Sequence, residues 1–526
     1  MIGQYTGLDG LVFVAYGLLL LGSGWYCNRR SASREDYFRG GNSMPVWVVA
    51  ISVLATSQSA ATFLGGPDQG YRGDLSYLAS NIGAFLGAFF VARYLLPLFY
   101  RHQVYTVYEL LEKRFGEKAK KQAGLMYLCG RVFASGARLY MAAIAVSMIL
   151  FGDIVAGHVI MATWLLAFTG LAYTVYGGIK TVIYSDVIQC IVYVSAALCV
   201  VYFLWAAIPA DMSQIIHALS YPAPGAESKL ALFKFGLDFS SAGVFNIWSV
   251  LTGFVLLNIA AFGLDQDMTQ RMLTCRSAKQ GSQALVYSIV MVIPVMLVFI
   301  VIGLLLFIYY QRPDIMQSGG AGQLIPSFEG QPVTIFMYYV LNHIPAGIKG
   351  LVTVGIIAAA LSTLNSGLNS MASVLVQDLY LPRQLSLGKK HPEMHYVKAG
   401  RFAMLLVAIA LASMACLCFF WQQYSNMPLL QFALSVMVFA YSGLLGVYFS
   451  ALFTTRGTQG TVLAALVCGF VCTLLFQPYI MSWYLPLHLQ FDLGFTWQLC
   501  IGTVVAFLVC VCRPANPQVV SQEVAP

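Results

Sequence analysis

The chain has 526 residues, of which 59% are hydrophobic and only 10% charged, with a formal net charge of +8. Soluble globular domains carry roughly 25% charged residues. That composition, with a mean hydropathy of +0.75, excludes a water-soluble fold and points to a polytopic membrane protein. The positive charge follows the loops between spans and gives no argument for a nucleic-acid partner.

Apolar runs of about 20 residues, the length that a helix needs to cross the hydrocarbon, predict thirteen spans. They lie near 7–27, 45–66, 77–100, 123–150, 155–176, 182–207, 243–264, 282–311, 344–377, 402–421, 428–452, 459–478 and 495–512. The first is followed by Asn28-Arg29-Arg30 without a small-residue cleavage site, and reads as a retained span. Every second loop is poor in cations: that set holds only Arg72, Lys229, Lys234, Arg312 and Lys349. The other set holds most of the remaining lysines and arginines. By the positive-inside rule the N-terminus is expected outside and the C-terminus inside. One membrane domain over 1–515 and a polar cytoplasmic tail over 516–526 are expected. The outer loop 312–343 should hold a short surface helix.

Two spans are interrupted. Span 45–66 carries Thr56, Ser57, Gln58, Ser59 and Thr62 in its middle, with Gly65-Gly66-Pro67 as its expected end. Span 243–264 carries Asn258 and Gly263, followed by Asp265-Gln266-Asp267. Broken helices at matching positions of two halves are the mark of an inverted-repeat transporter with its site at the midplane. The halves are expected over about 45–207 and 243–452. There is no Gly-x-x-x-x-Gly-Lys-Ser/Thr run, so ATP is not the expected energy source.

Four constellations bear chemistry. In span 344–377, Ala359, Ser362, Thr363, Ser366 and Ser370 recur at spacings of three and four and share one helical face. Such a stripe serves tight helix packing or supplies oxygens to Na+, which takes about five or six hard ligands. The broken span facing it can add carbonyls from Ala55 and Gln58. Asp186, near the inner end of its span, needs a partner, such as Lys180 or a second cation. Arg131 and Arg138, seven residues apart, lie on one face about 10 Å from each other. Each serves either an intramembrane salt bridge or a substrate carboxylate. Asn81 and Asn258 bond either substrate hydroxyls or neighbouring helices. The 12 cysteines and 7 histidines form no metal-ligand spacing, and no nucleophile cluster suggests an enzyme.

Tyr37-Phe-Arg-Gly-Gly-Asn42, Gly177-Gly-Ile-Lys-Thr-Val-Ile-Tyr-Ser-Asp-Val-Ile-Gln189, Gln266-Asp-Met-Thr-Gln-Arg-Met-Leu273 and Ala359-Ala-Leu-Ser-Thr-Leu-Asn-Ser-Gly-Leu-Asn-Ser370 together resemble the sodium:solute symporter family. The resemblance covers roughly residues 5–480. It implies an all-α leucine-transporter fold with a five-plus-five inverted repeat. It also implies a Na+ site at Ala55, Gln58, Ala359, Ser362 and Thr363. Asp186 matches an aspartate that some members use for a second Na+, and Ala359 stands where that second site has a hydroxyl. Ser57, Ser59, Thr62, Asn81 and Arg131 match substrate-contacting positions of members that carry an acid sugar. Asn258 matches a sugar-binding asparagine of other members, whose aromatic gate is replaced here by Ala261.

The expectation is a Na+-coupled symporter in a bacterial inner membrane. It would import a small organic acid such as a sialic-acid-like sugar, with Arg131 on the carboxylate and Arg138 as a further candidate. Neutral sugars remain an alternative substrate; a channel or a sensor remains an alternative class. Na+, the small solute and the lipid bilayer are the expected partners, with no obligatory protein partner.

Overall fold

The computed structural model describes residues 5–28, 34–175, 177–316, 334–425 and 429–514. The expected tail at 516–526 lies outside them. The described residues form helices and connecting loops, with no strand. In chain order the main helices are α1 (Gly7–Asn28), α2 (Val46–Ser57), α3 (Ala60–Arg72), α4 (Ser76–Arg101), α5 (Glu117–Leu150), α6 (Ala156–Thr174), α7 (Gly178–Ala207) and α8 (Ile247–Leu264). There follow α9 (Gln266–Met272), α10 (Ala278–Gln311), α11 (Thr334–His343), α12 (Ile348–Ser386), α13 (Glu393–Ser425), α14 (Leu429–Phe453), α15 (Gln459–Leu475), α16 (Pro478–Tyr484) and α17 (Phe495–Val511).

Among the described residues, 9 helices are long and apolar enough to cross a membrane, or up to 11 if each bent pair is one span. The pairs are α2 with α3, bent by 61°, and α15 with α16, bent by 87°. The remaining two expected spans fall on shorter apolar helices, Gly7–Ser23 within α1 and α17. Expected span 459–478 therefore stops early: α15 ends at Leu475, and Pro478, which has no N–H to continue the ladder, opens α16 in a new direction.

Burial sorts the helices. The apolar stretches of α12 and α14 are both 89% buried, whereas those of α6 and α7 are 39% buried. The former are the centre of the bundle and the latter its lipid-facing wall. The expected surface helix is α11, which turns Phe336, Met337, Tyr339 and Val340 inward and sets Phe336 5.8 Å from Phe63 of α3, ring to ring.

The first break falls in the expected polar middle of its span, but the expected end does not hold. The chain leaves helical geometry at Gln58 (φ −94°, ψ 85°) and Ser59 (φ −91°, ψ −177°). Ser59 then caps α3 by accepting the Ala61 N–H at 3.2 Å. Gly65-Gly66-Pro67 do not end the helix; α3 runs through them to Arg72. Their part is packing: α3 and α10 pass so closely that a Cβ on Gly303 of α10 would stand 2.0 Å from the Pro67 carbonyl oxygen. Small residues allow backbones to approach in this way.

The second break follows α8. Its last turn, Ala260–Leu264, is π-helical, and Asp265 is extended (φ −86°, ψ 116°) before α9 begins. Both breaks are closed off from lipid, as unsatisfied backbone must be at membrane depth: Gln58, Ser59, Asp265 and Gln266 are all buried.

Candidate functional site

Three aspartates and two arginines meet beneath the first break. The Asp186 carboxylate, on α7, accepts from Ser52 Oγ of α2 at 2.5 Å and from Ser362 Oγ of α12 at 2.6 Å. Its cation is Arg271 of α9, 3.2 Å away, and not Lys180. Arg271 also donates to Asp267 at 2.7 Å and to Ser52 Oγ at 2.9 Å. Asp267 in turn pairs with Arg131 of α5. Arg131 reaches Asp265 at 2.8 Å, and Asp265 also accepts from Tyr441 of α14 at 2.6 Å. Every member is buried: Asp186, Asp267 and Arg271 are wholly enclosed. Ionised groups at this depth persist only when paired and hydrogen-bonded, and here six helices supply the partners.

The expected Na+ ligands adjoin this network. Because α2 stops at Ser57, the carbonyls of its last turn, Ala55 among them, lose their i+4 donors and can serve as ligands. Ala55, Gln58, Ala359, Ser362 and Thr363 are all buried. Ser362 is held towards α7 by Asp186, and Thr363 Oγ1 donates to the Ala359 carbonyl at 3.4 Å. Three backbone carbonyls, two hydroxyls and a nearby carboxylate are hard oxygen donors, the set that suits Na+. Lower on the same face, Ser366 donates to Asp267 at 3.1 Å and Ser370 accepts from Tyr127 at 3.0 Å. The stripe therefore belongs to a polar network along its whole length. The hydroxyls on Asp186 come from Ser52 and Ser362.

Above the break, Ser57, Gln58, Asn81 and Asn258 line one cavity of about 110 Å³, with Tyr77, Phe254 and Met296 among its walls. Four sequence-predicted residues from three helices thus converge. Asn81 Nδ2 donates to the Leu78 carbonyl at 2.9 Å, and Asn258 Nδ2 to the Phe254 carbonyl at 2.7 Å. These bonds turn both amides on their own helices. Ser59 and Thr62 are buried in the first turn of α3. Gln58 Oε1 is buried and has no partner among the described residues.

The two arginines differ. Arg131 is 3% exposed and engaged by two carboxylates. Arg138 is half-buried, and among the described residues no carboxylate bonds it: Nη2 meets the Met437 sulfur at 3.2 Å, and Nη1 is enclosed with no partner. Tyr77, which lines the cavity, lies within electrostatic reach of Arg138. Sequence reasoning missed Ser52, Arg271, Asp265, Asp267 and Tyr441 as parts of the site. The signal for three of them was the Asp265–Arg271 stretch, read there as a helix break and as part of the resemblance.

The model of the Sodium:solute symporter family matches residues 37–469. The chain belongs to the sodium:solute symporter family. It is a multi-pass membrane transporter coupled to Na+, not an enzyme. The chain is 25% identical over 466 residues to the sodium/sialic acid symporter SiaT of Proteus mirabilis, covering 88% of each. It is 27% identical over 424 residues to the sodium/glucose cotransporter of Vibrio parahaemolyticus, covering 77% of this chain and 75% of that one. Its fold matches the substrate-bound, outward-open structure of a Na+-coupled sialic acid symporter with a TM-score of 0.78, over 96% of this chain and 97% of that one, at 23% identity. A nucleobase-cation symporter, Mhp1, shares the fold more distantly (TM-score 0.56, 14% identity, 92% of this chain and 94% of that one). The symporter is thus of the leucine-transporter type that its family resemblance implies.

Proposed function

We propose that this symporter imports a small carboxylated solute, such as a sialic-acid-like acid sugar, with Na+ by alternating access. The observation that carries this reading is Arg138: a guanidinium at membrane depth whose Nη1 has no partner, near a cavity lined by Ser57, Gln58, Asn81 and Asn258. A half-buried arginine with one enclosed, unpartnered nitrogen is costly at this depth, and a carboxylate is its natural bidentate partner. The carboxylate therefore goes to Arg138, while Arg131 serves the aspartate network. Hydroxyls of the solute meet Ser57, Ser59, Thr62 and the two asparagines. A cavity of about 110 Å³ is smaller than a typical small-molecule pocket of roughly 300 Å³ or more, so the outer halves of α3, α8 and α10 must part to admit a sugar.

Na+ sits at Ala55, Gln58, Ala359, Ser362 and Thr363, with Asp186 taking a second ion. The repeats are 45–207 and 243–452, and the halves rock about the two breaks. The protein works in a bacterial inner membrane with the N-terminus outside and the C-terminus inside, without an obligatory protein partner. Named relatives on both sides of the charge divide, a sialic acid symporter and a glucose cotransporter, make a neutral sugar the second reading, supported by Asn258 in the cavity wall.

Uptake of labelled acids and sugars into proteoliposomes at varied Na+ separates the two. The expected result is Na+-dependent accumulation of an acid. Arg138→Gln should raise its KM about 10- to 100-fold, the loss of a charged hydrogen-bonded contact. Accumulation of a neutral sugar, unaltered by Arg138→Gln, would reject the carboxylate reading.

A further inference from the structure

Away from the transport path, α12 and α13 enclose a cavity of about 670 Å³ on the lipid-facing side of the bundle. Its polar rim is Arg383, Lys398, His395 and Tyr380, and its apolar depth includes Leu375 and Leu406. The rim is itself tied: the Tyr380 hydroxyl and His395 Nε2 lie 2.9 Å apart, joining the two helices. Arg383 and Lys398 are exposed, and no carboxylate among the described residues pairs with either. Between Leu381 and Arg401 the chain carries Arg383, Lys389, Lys390, Lys398 and Arg401 against a single acid, Glu393.

The two walls repeat one arrangement. On α12, Leu375 lies eight residues from Arg383; on α13, Leu406 lies eight residues from Lys398. At 1.5 Å per residue each apolar end is about 12 Å from its basic end. Phe402 and Leu406, 62% and 50% exposed, continue the apolar depth onto the outer surface of the bundle. A cationic rim over an apolar slot open to the bilayer is complementary to an amphiphile with an anionic head. Basic pockets between membrane helices on the cytoplasmic side recognise such lipids.

We propose that this cavity is a binding site for an anionic phospholipid, its phosphate held by Arg383 and Lys398 and an acyl chain lying against Leu375, Phe402 and Leu406. The orientation proposed above decides only which leaflet supplies the lipid, and the site is independent of the transported solute.

The full-length protein in detergent is titrated with phosphatidylglycerol or phosphatidylcholine, and retained lipid is read by native mass spectrometry. Wild type should retain phosphatidylglycerol in preference to phosphatidylcholine. The double variant R383Q/K398Q should bind it about thirty-fold more weakly, since each basic group near a membrane surface is worth roughly a factor of five. A second reading uses Phe402→Trp, whose fluorescence should be quenched more by brominated phosphatidylglycerol than by brominated phosphatidylcholine. Equal retention by the double variant overturns the proposal. So does displacement of the lipid by free glycerol phosphate at equal concentration, because a soluble-anion site would then account for the rim. Neither reading depends on uptake, so an error in the proposed substrate leaves the test intact.

Discussion

Arg131 shows what a single buried charge does when its neighbours are counted. Its guanidinium binds Asp265 and Asp267, and Asp267 is shared with Arg271. Removing Arg131 leaves two carboxylates in the bundle centre with one cation fewer. Breaking a buried pair from one side costs about 3–5 kcal/mol, so Arg131→Gln should lower thermal stability by that order, with or without substrate. Adding Asp267→Asn should recover part of the loss, because the second change removes a stranded charge. A circular-dichroism or fluorescence melt in detergent reads both; an unshifted melt for Arg131→Gln would return Arg131 to the pool of substrate contacts. The arginine was legible as costly and purposeful. Its purpose was not, because the two partners stand 134 and 136 residues further along the chain. Periodicity places residues on one face of one helix but says nothing about which helix packs against it.

At the scale of elements, the break between α2 and α3 and the hydroxyl stripe of α12 act as one unit. The cluster Thr56–Thr62 was readable as a polar interruption, since five such residues in mid-span have no use in plain helix packing. The place of the break was readable to within that cluster, but the end of the second half was not. Gly65-Gly66-Pro67 has the composition of a terminator, yet close packing explains the glycines equally well: a Cβ on Gly65 would stand 2.9 Å from Leu430 of α14, and one on Gly66 2.8 Å from Phe299 of α10. Ser362 is the hinge of this unit, reaching Asp186 from the same turn that offers Thr363. Ser362→Ala removes one oxygen from the cation set and one partner from Asp186. The Na+ concentration for half-maximal uptake should rise about tenfold or more, the worth of one contact to a charged group. Thr363→Ala should act in the same direction, without disturbing Asp186. Uptake measured over a Na+ series at fixed substrate checks both, and an unchanged half-saturation in either variant removes that hydroxyl from the site.

At the scale of the whole molecule the question is charge. Asp186, Asp265 and Asp267 face Arg131 and Arg271, leaving one negative charge in excess, which Arg138 evens out across the bundle centre. In the proposed mechanism a carboxylate arriving on Arg138 would restore the excess, and one Na+ would cancel it. That exchange couples anion and cation: either alone leaves an uncompensated charge at a depth where such charges are expensive. It also has a thermodynamic consequence. One Na+ with one monoanion moves no net charge, so a membrane potential of ~100 mV, worth about 2.3 kcal/mol per charge, adds nothing to accumulation. The second Na+ proposed at Asp186 would restore that drive, and the carboxylate there already has two hydroxyl oxygens beside it, from Ser52 and Ser362. The expected outcome is therefore an inward current of one positive charge per substrate taken up, measured on proteoliposomes at a solid-supported membrane. In Asp186→Asn the current should vanish while slower, Na+-dependent, electroneutral uptake persists, since Arg271 keeps its pairing with Asp267. Wild-type uptake without current would confine the coupling ion to the Ala55–Thr363 site. Loss of uptake and current together, with a lowered melting temperature, would make Asp186 a support of the fold.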